Sequence, residues 1–290
     1  MVRDPGRPAR RDRRTPPYAR GRLPRPDRTG APLVSLDFAP RPGAAPVPRM
    51  VLAQTVMETR LLMRNGEQLL LALVIPLLLL VAGTEATRIV DLGPGRPIDI
   101  VTPGVLALAI LSSSFTSLAI ATGFERRYGV IKRLGSTPLP RWGLLVGKIG
   151  SVLLVQAAQL VILVLVALWL GWEPDGGAAA YAWMVVLALL GTAAFAALAL
   201  LLAGTLRAEA TLAVANLVYV LLLVGGAVLV PLSRYPDAAQ TFLSVLPTGA
   251  LSEGMRTVFD GSAPPVSSIV VLVVWAGVAA AATARTFKWE

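Results

Sequence analysis

Residues 124–142 read FERRYGVIKRLGSTPLPRW, a short and strongly basic stretch with a long apolar run on each side. A polar loop between two membrane spans needs only to be soluble. This loop contains a helix-length stretch with an apolar stripe of its own. The pattern predicts a helix built to dock on a partner outside the membrane, which is typical of the membrane half of a two-part machine.

A helical wheel over the centre of this loop separates its two kinds of side chain. Val130, Ile131 and Leu134 share one arc, whereas Lys132 and Arg133 face away from it. Arg126 also faces away, although Arg127 interrupts the apolar arc. Gly135 and the following prolines predict that the helix stops and turns into the next apolar run. The simpler reading, that the loop only supplies positive charge, needs neither an apolar stripe nor a defined stop.

The composition is that of a membrane protein. Of 290 residues, 55% are hydrophobic and 15% are charged, and the mean hydropathy is +0.66. Soluble domains carry about a quarter charged residues. Several stretches of about 20 nearly uncharged residues could each cross a ~30 Å hydrocarbon core. The sequence therefore predicts an all-α polytopic membrane protein.

The cysteine and histidine counts exclude several kinds of site, and the placement of the net charge disfavours one class of partner. The absence of cysteine excludes disulfides and thiolate metal sites, and the absence of histidine removes the commonest metal ligand and general base. No metal site is therefore expected. The formal net charge is +10, but the basic residues gather at the predicted membrane edges. Membrane orientation and anionic lipid explain this charge better than nucleic acid does.

Two segments precede the first span. Residues 1–49 are rich in Arg and Pro, and we expect a disordered tail that binds anionic lipid or is dispensable, with Met50 as an alternative start. Residues 50–65 are predicted to form an amphipathic helix at the membrane interface. Its apolar face carries Leu52, Val56 and Met63, together with Thr59. Arg60 and Arg64 are offset from that face toward the headgroups.

Six transmembrane helices are expected in the remainder of the chain, over residues 68–83, 102–122, 144–172, 181–206, 209–232 and 267–286. Lys and Arg concentrate in the N-terminal segment, the 124–142 loop, the turn at Arg207 and the C-terminus. This places both termini in the cytoplasm. Residues 231–265 exceed the length of a connector and contain two helical pieces. They are predicted to form an external re-entrant helical hairpin, with a plain extracellular loop as the alternative.

The sequence offers little for catalysis. It contains none of the common nucleophile, zinc-protease or phosphate-loop motifs, so no catalytic residue is expected and the chain cannot hydrolyse ATP unaided. Polar residues inside the spans could line a translocation path or hydrogen-bond between helices. The candidate path-lining residues are Ser113, Thr116, Gln156, Asn216 and Tyr219.

The third predicted span opens with a row of small residues. Gly143, Gly147 and Gly150 have the spacing that allows another helix to approach closely. Lys148 lies just inside the same span and is expected to extend its ammonium back toward the interface.

Several short motifs together resemble the membrane subunits of type-2 ATP-binding-cassette exporters, in the daunorubicin-resistance-like group. The resemblance covers residue 50 to the C-terminus. It rests on Arg60-Leu-Leu-Met-Arg-Asn, Pro103-Gly104, Glu125-Arg-Arg-Tyr-Gly running into Lys132-Arg-Leu and Thr137-Pro, and Leu246-Pro-Thr-Gly. Residues 1–49 lie outside it.

The resemblance implies a permease subunit that exports an amphiphilic drug, lipid or glycoconjugate across the plasma membrane. It implies that the loop is a coupling helix seated in a separate ATPase subunit, which binds ATP and Mg, while this chain holds no cofactor. A second permease copy or a sister permease would complete the dimer. The carried-over coupling residues are Glu125, Arg126, Arg127, Gly129, Lys132 and Arg133.

Two other classes of function stay open at this point. A membrane scaffold would bind a partner through the same loop without nucleotide-driven movement. A lipid-modifying membrane enzyme would need clustered reactive groups, for which Glu85, Asp91 and Asp99 are weak support. The transported substrate and the identity of the second subunit do not follow from the sequence.

Overall fold

The computed structural model describes residues 43–64, 66–85, 95–228 and 230–287, with the backbone alone over 67–71. Within these ranges every regular element is helical. Almost all of the expected disordered tail lies outside the described residues, as does Asp91 in the segment 86–94. Residues Ala44–Glu290 form one compact unit.

The predicted interface helix corresponds to α1, which spans Val47–Arg64 and lies along one side of α6, Arg141–Trp169. Its polar face, with Gln54, Thr55 and Glu58, is the buried one. The predicted apolar face is exposed, with Leu52 at 63% and Met63 at 60%. An exposed apolar face is what a helix in the membrane interface requires, because lipid covers that face.

A single long helical path forms the centre of the bundle. It consists of α3 (Pro97–Leu111), a π-helical segment (Ser112–Ser117) and α4 (Leu118–Arg127). Its most apolar window is 72% buried, against 22% for the last helix of the chain. The predicted second span, residues 102–122, is thus extended at both ends, and Glu125–Arg127 belong to the span helix and not to a separate loop helix.

Serine hydroxyls contact the backbone where the central path departs from α-helical geometry. The Ser113 hydroxyl donates to the Ala109 carbonyl at 2.9 Å, and the Ser114 hydroxyl donates to the Ile110 carbonyl. Such hydroxyls compete for carbonyls one turn back and disturb the backbone ladder. π-Helical segments inside α-helices are rare and often mark functional sites.

The other helices surround this path. Their bounds are α2 Gly66–Glu85, α5 Val130–Leu134, α7 Gly177–Thr205, α8 Ala208–Gly225, α9 Asp237–Val245, α10 Pro247–Phe259 and α11 Val266–Thr286. α11 packs along α7, and α10 packs against α3, α7 and α11.

Five helical stretches in the described residues are long and apolar enough to cross a membrane, namely Pro97–Arg127, Arg141–Trp169, Gly177–Thr205, Ala208–Gly225 and Val266–Thr286. They confirm five of the expected spans in kind and approximate position. The first expected span corresponds to α2, whose side chains are described from Ala72 to Glu85 and form a shorter apolar helix. The expected hairpin at residues 231–265 contains α9 and α10, separated by an extended backbone at Leu246.

Candidate functional site

The two ends of the helical bundle carry different charged residues, and we call them the basic end and the acidic end. The basic end carries Arg126, Arg127, Lys132 and Arg133, next to the start of α6 and the α7–α8 turn. The acidic end carries Asp99, Glu173, Asp175 and Asp260, next to α10. The predicted coupling residues all lie at the basic end.

The loop at the basic end is packed against the bundle. Gly129 adopts a left-handed φ of 70°, which favours glycine, and it breaks the helical path between α4 and α5. Ile131 on α5 is 4% exposed and Leu139 is 8% exposed, so two apolar side chains fasten the loop to the bundle. The predicted stop at Gly135 is confirmed, because α5 ends at Leu134.

The exposed face of the loop combines charge with apolar surface. Lys132 and Arg133 are exposed. Tyr128 is 66% exposed and Val130 is 38% exposed. A surface with aromatic, aliphatic and guanidinium groups has the composition of protein interfaces. We call Tyr128, Val130, Lys132 and Arg133 the loop face.

The other predicted coupling residues contact the protein's own chain. The Arg126 guanidinium donates to the Leu206 carbonyl at 2.5 Å, where α7 ends. Arg127 forms an ion pair with Glu209 at the start of α8. These contacts join the end of α4 to the α7–α8 turn, so that this part of the basic end is connected side chain by side chain.

Glu125 takes part in a buried ionic cluster. The Lys148 ammonium lies 2.9 Å from Glu58 Oε1 and also contacts the Glu125 carboxylate. Gln54 donates to the same Glu58 oxygen at 2.8 Å. Lys148 is 4% exposed, so the predicted extension toward the interface is wrong: the ammonium stays inside because two carboxylates replace its hydration. We call Glu58, Glu125 and Lys148 the ionic cluster.

Small residues allow the ionic cluster to form. A side chain at Gly147 would place its Cβ 2.7 Å from Gln54, and one at Gly150 would place it 2.9 Å from Thr55. The glycine row of α6 therefore lets α1 approach closely, as expected from its spacing. The close approach brings Glu58 within reach of Lys148.

The predicted path-lining residues occupy different environments. The Ser113 hydroxyl lies 3.1 Å from Gln156 Oε1, and the Gln156 amide donates to Thr192 on α7 at 2.8 Å, all three side chains being buried. The Thr116 hydroxyl is buried without a hydrogen-bond partner among the described residues. Asn216 is exposed on α8 and Tyr219 is half-buried there. The structure thus brings Ser113 and Gln156 together and places the α8 pair elsewhere.

At the acidic end a second buried cation holds an irregular backbone. The Arg256 guanidinium on α10 donates to the Ala227 carbonyl at 2.9 Å and to the Val228 carbonyl at 2.6 Å. Ala227 has a φ of 56°, an uncommon left-handed value for a non-glycine residue. A side chain at Gly104 would place its Cβ 1.8 Å from the Val228 carbonyl oxygen. The Pro103-Gly104 motif is thereby explained as a close approach of two backbones.

Beside Arg256 lies an open cavity of about 560 Å³ lined by acidic and basic side chains. Burial raises the pKa of Asp260, and the neighbouring carboxylates of Asp175 and Asp99 raise it further, while Arg256 opposes them. Among the residues that the structure describes, no group of three or more His, Cys, Asp or Glu is arranged to hold a metal ion.

Sequence reasoning missed the partners of both buried cations. Glu58 was assigned no role, and Arg256 lay within the predicted external re-entrant hairpin at residues 231–265. The small-residue row on α6 could have indicated that Lys148 faces α1. No pattern in the sequence could have indicated that Arg256 caps two carbonyls some 28 residues before it.

Two comparisons relate this chain to known proteins. A model of the family described as "ABC-2 type transporter" matches residues 49–259. The chain is also similar to the protein named "Putative transport permease YvfS" of Bacillus subtilis (strain 168), with 23% identity over 226 residues. That similarity covers 77% of this chain and 90% of the relative.

Proposed function

The chain belongs to the ABC-2 type transporter family as a multi-pass membrane component of a transporter, and from this premise we propose that it is the permease subunit of an ATP-driven exporter. The ATPase, with its ATP and Mg, is a separate chain. The observation that carries the proposal is the loop face. It is exposed to a partner while Ile131 and Leu139 hold the loop against the spans.

The orientation follows from charge. Exposed Lys132 and Arg133 lie at the basic end, together with Arg126, Arg127 and Arg285. Cytoplasmic segments of membrane proteins carry an excess of Lys and Arg. The basic end is accordingly cytoplasmic in the plasma membrane, with both termini on that side, and the loop face meets the ATPase there.

The membrane topology has six spans. α2 is 20 residues long, which is enough to span, and it continues through Pro76. α9 and α10 form the external hairpin. Because α10 is buried among α3, α7 and α11, it has the protein surroundings that a re-entrant helix needs.

The contacts at the basic end suggest how movement reaches the spans. The loop face follows α4 directly, with Tyr128 and Gly129 lying between α4 and α5. The end of α4 is tied to the α7–α8 turn through Arg126 and Arg127. The ionic cluster ties it to α1 and α6. A displacement of the loop would be shared by these helices. The ATPase can drive that displacement only if it binds the two positions of the loop with different affinity.

The substrate is an amphiphilic drug, lipid or glycoconjugate, and a second permease copy or a sister permease completes the path. Asn216 and Tyr219 on α8 are accessible to a substrate or a second subunit. Ser113 and Gln156 satisfy each other inside one subunit, which favours a packing role for them. Thr116, whose hydroxyl has no partner within the described ranges, stays a path candidate.

The test is co-purification of an ATPase. The protein is extracted in mild detergent from its native membranes, associated chains are identified, and ATP hydrolysis is measured. The same is done for Lys132→Ala/Arg133→Ala, which removes two exposed charges from the loop face. Variants of Glu125 or Arg126 are less informative, since they also break contacts inside the protein.

The matched control is Arg60→Ala/Arg64→Ala, which removes two exposed charges from α1. We expect the ATPase to be lost only from the loop variant. The scaffold alternative would be supported by a partner that binds through the loop face while the complex shows no ATP hydrolysis. If no nucleotide-binding chain accompanies the folded wild-type protein, the proposal is wrong.

A further inference from the structure

A cavity of about 190 Å³ lies inside the basic end, where α1, α2, the central helical path and α6 meet. The ionic cluster forms part of its wall, and Gln159 and Ser117 line it as well. We propose that this cavity binds the ammonium group of a single-chain amphiphile that enters from the adjoining membrane leaflet.

The charge of the cavity wall selects a cation. Two carboxylates face one ammonium, so the ionic cluster has a formal charge of −1. The described contacts of Glu58, from Lys148 and from Gln54, both fall on Oε1. Its second oxygen remains for a ligand. An ammonium can donate to several oxygens at once, and hydrogen bonds between ionised groups are the strong ones.

Gln159 provides an independent sign that a donor is missing from the cavity. Its side chain is 5% exposed, and its Nε2 donates to the Ala72 carbonyl at 2.7 Å. Its Oε1 is buried and has no hydrogen-bond partner among the described residues. Leaving a buried acceptor unpaired costs free energy. A ligand with N–H donors would supply the partner.

The remaining wall suits an alkyl chain. Leu118 and Val152 are buried beside the polar groups, whereas Leu61 lines the cavity and is 55% exposed. Leu61 continues the exposed apolar face of α1 that begins at Leu52. An amphiphile could therefore place its head on the ionic cluster and its chain along Leu61 toward lipid.

The cavity also adjoins the irregular part of the central helix. Ser113 and Ser117, both within the π-helical segment, line it. Occupancy would therefore contact α1, α6 and the π-helical segment together. The inference concerns binding and does not depend on an ATPase partner.

The test uses the full chain in lipid nanodiscs without any ATPase, with empty nanodiscs as the blank. Labelled n-octylamine, a cation at neutral pH, is dialysed to equilibrium against them. n-Octanol, with the same chain and no charge, and n-octanoate, with the opposite charge, are run in parallel. We expect saturable binding of octylamine, at least about tenfold weaker binding of octanol, and no octanoate above the blank.

Glu58→Gln and Gln159→Leu each remove one feature of the cavity, and we expect each to weaken octylamine binding about tenfold. Glu209→Gln is the matched control, because Glu209 pairs with Arg127 outside the cavity, and we expect it to bind like the wild type. If Glu58→Gln does not fold, the three probes and Gln159→Leu still decide. Equal binding of octylamine and octanol, or wild-type affinity in both cavity variants, would overturn the proposal. Because no ATPase is needed, this result is separate from the co-purification test.

Discussion

Lys148 at the basic end and Arg256 at the acidic end are both buried cations, but they are held by different kinds of partner. Lys148 is held by two carboxylate side chains, one from α1 and one from α4. Arg256 is held by two backbone carbonyls that follow α8. The buried cation at the basic end therefore pairs with side chains from two other helices, whereas the one at the acidic end holds the backbone that follows α8.

The difference has a consequence for how each end can change. Side-chain ion pairs between separate helices can break and re-form without unfolding any backbone. Carbonyls released by Arg256 would be left inside the protein at a strained turn, where Ala227 has a left-handed φ. We infer that the basic end is suited to rearrangement and the acidic end to fixed packing.

Lys148→Met is expected to have the largest effect. It leaves two carboxylates close together without a counter-charge, and breaking such buried pairs costs about 3–5 kcal/mol. The free energy of unfolding is to be measured in mixed micelles. The triple variant Glu58→Gln/Glu125→Gln/Lys148→Met removes all the charges, and we expect it to recover most of the loss. A triple variant as unstable as the single one would show that the loss of stability does not come from the unpaired carboxylates.

Arg256→Ala is expected to cost about 3 kcal/mol or more, because two charge-assisted hydrogen bonds to carbonyls are lost. Arg256→Lys keeps the charge but lacks the planar fork, so we expect it to restore only part of the stability. Arg285→Ala, at an exposed arginine near the end of α11, should leave the unfolding free energy within error. Full rescue by lysine would show that charge alone, without geometry, holds this end.

Gly104→Ala tests the close backbone approach at the acidic end. The added Cβ would meet the Val228 carbonyl oxygen at 1.8 Å, so the turn after α8 must shift. We expect a loss of about 1–3 kcal/mol, as for overpacked cores. Gly277→Ala is the matched control, since its Cβ would meet nothing within 4 Å. An unchanged unfolding midpoint for Gly104→Ala would mean that the acidic end is not rigid.

The smallest effect is a pH dependence at the acidic end. The pKa of Asp260 is raised in the folded protein by burial and by neighbouring carboxylates, so the folded state binds its proton more tightly than the unfolded state does. Ionised Asp260 therefore destabilises the fold above its raised pKa, and this destabilisation disappears as the pH falls below its unfolded value. Asp260→Asn should be slightly more stable than the wild type at neutral pH and should show a weaker pH dependence between these two pKa values.

The sequence was informative where periodicity and charge decide the structure. Long apolar runs predicted the helices, the glycine row on α6 predicted a close neighbour, and Gly135 predicted the end of α5. The exposed apolar face of α1 was also read correctly. Each of these features depends on residues near one another in the chain.

The features that sequence reasoning missed depend on contacts across the fold. Hydropathy places charges at membrane edges, so Lys148 was expected to extend toward the membrane interface and not to two carboxylates 90 and 23 residues away. The π-helical segment has no signal beyond a run of serines. Arg126 and Arg127 were assigned to a partner, whereas their contacts at Leu206 and Glu209 become visible only when α7 and α8 are in place.

The π-helical segment gives the central path a surplus of residues per turn. If residues 112–117 adopted ordinary α-helical geometry, the part after Ser117 would rotate about the helix axis relative to the part before Ser112, by an amount of the order of 100° per residue taken up. Such a rotation would carry Glu125, Arg126 and Arg127 around the axis together. A change of helix type at residues 112–117 would thus rotate the loop end of this helix about its own axis relative to the acidic end.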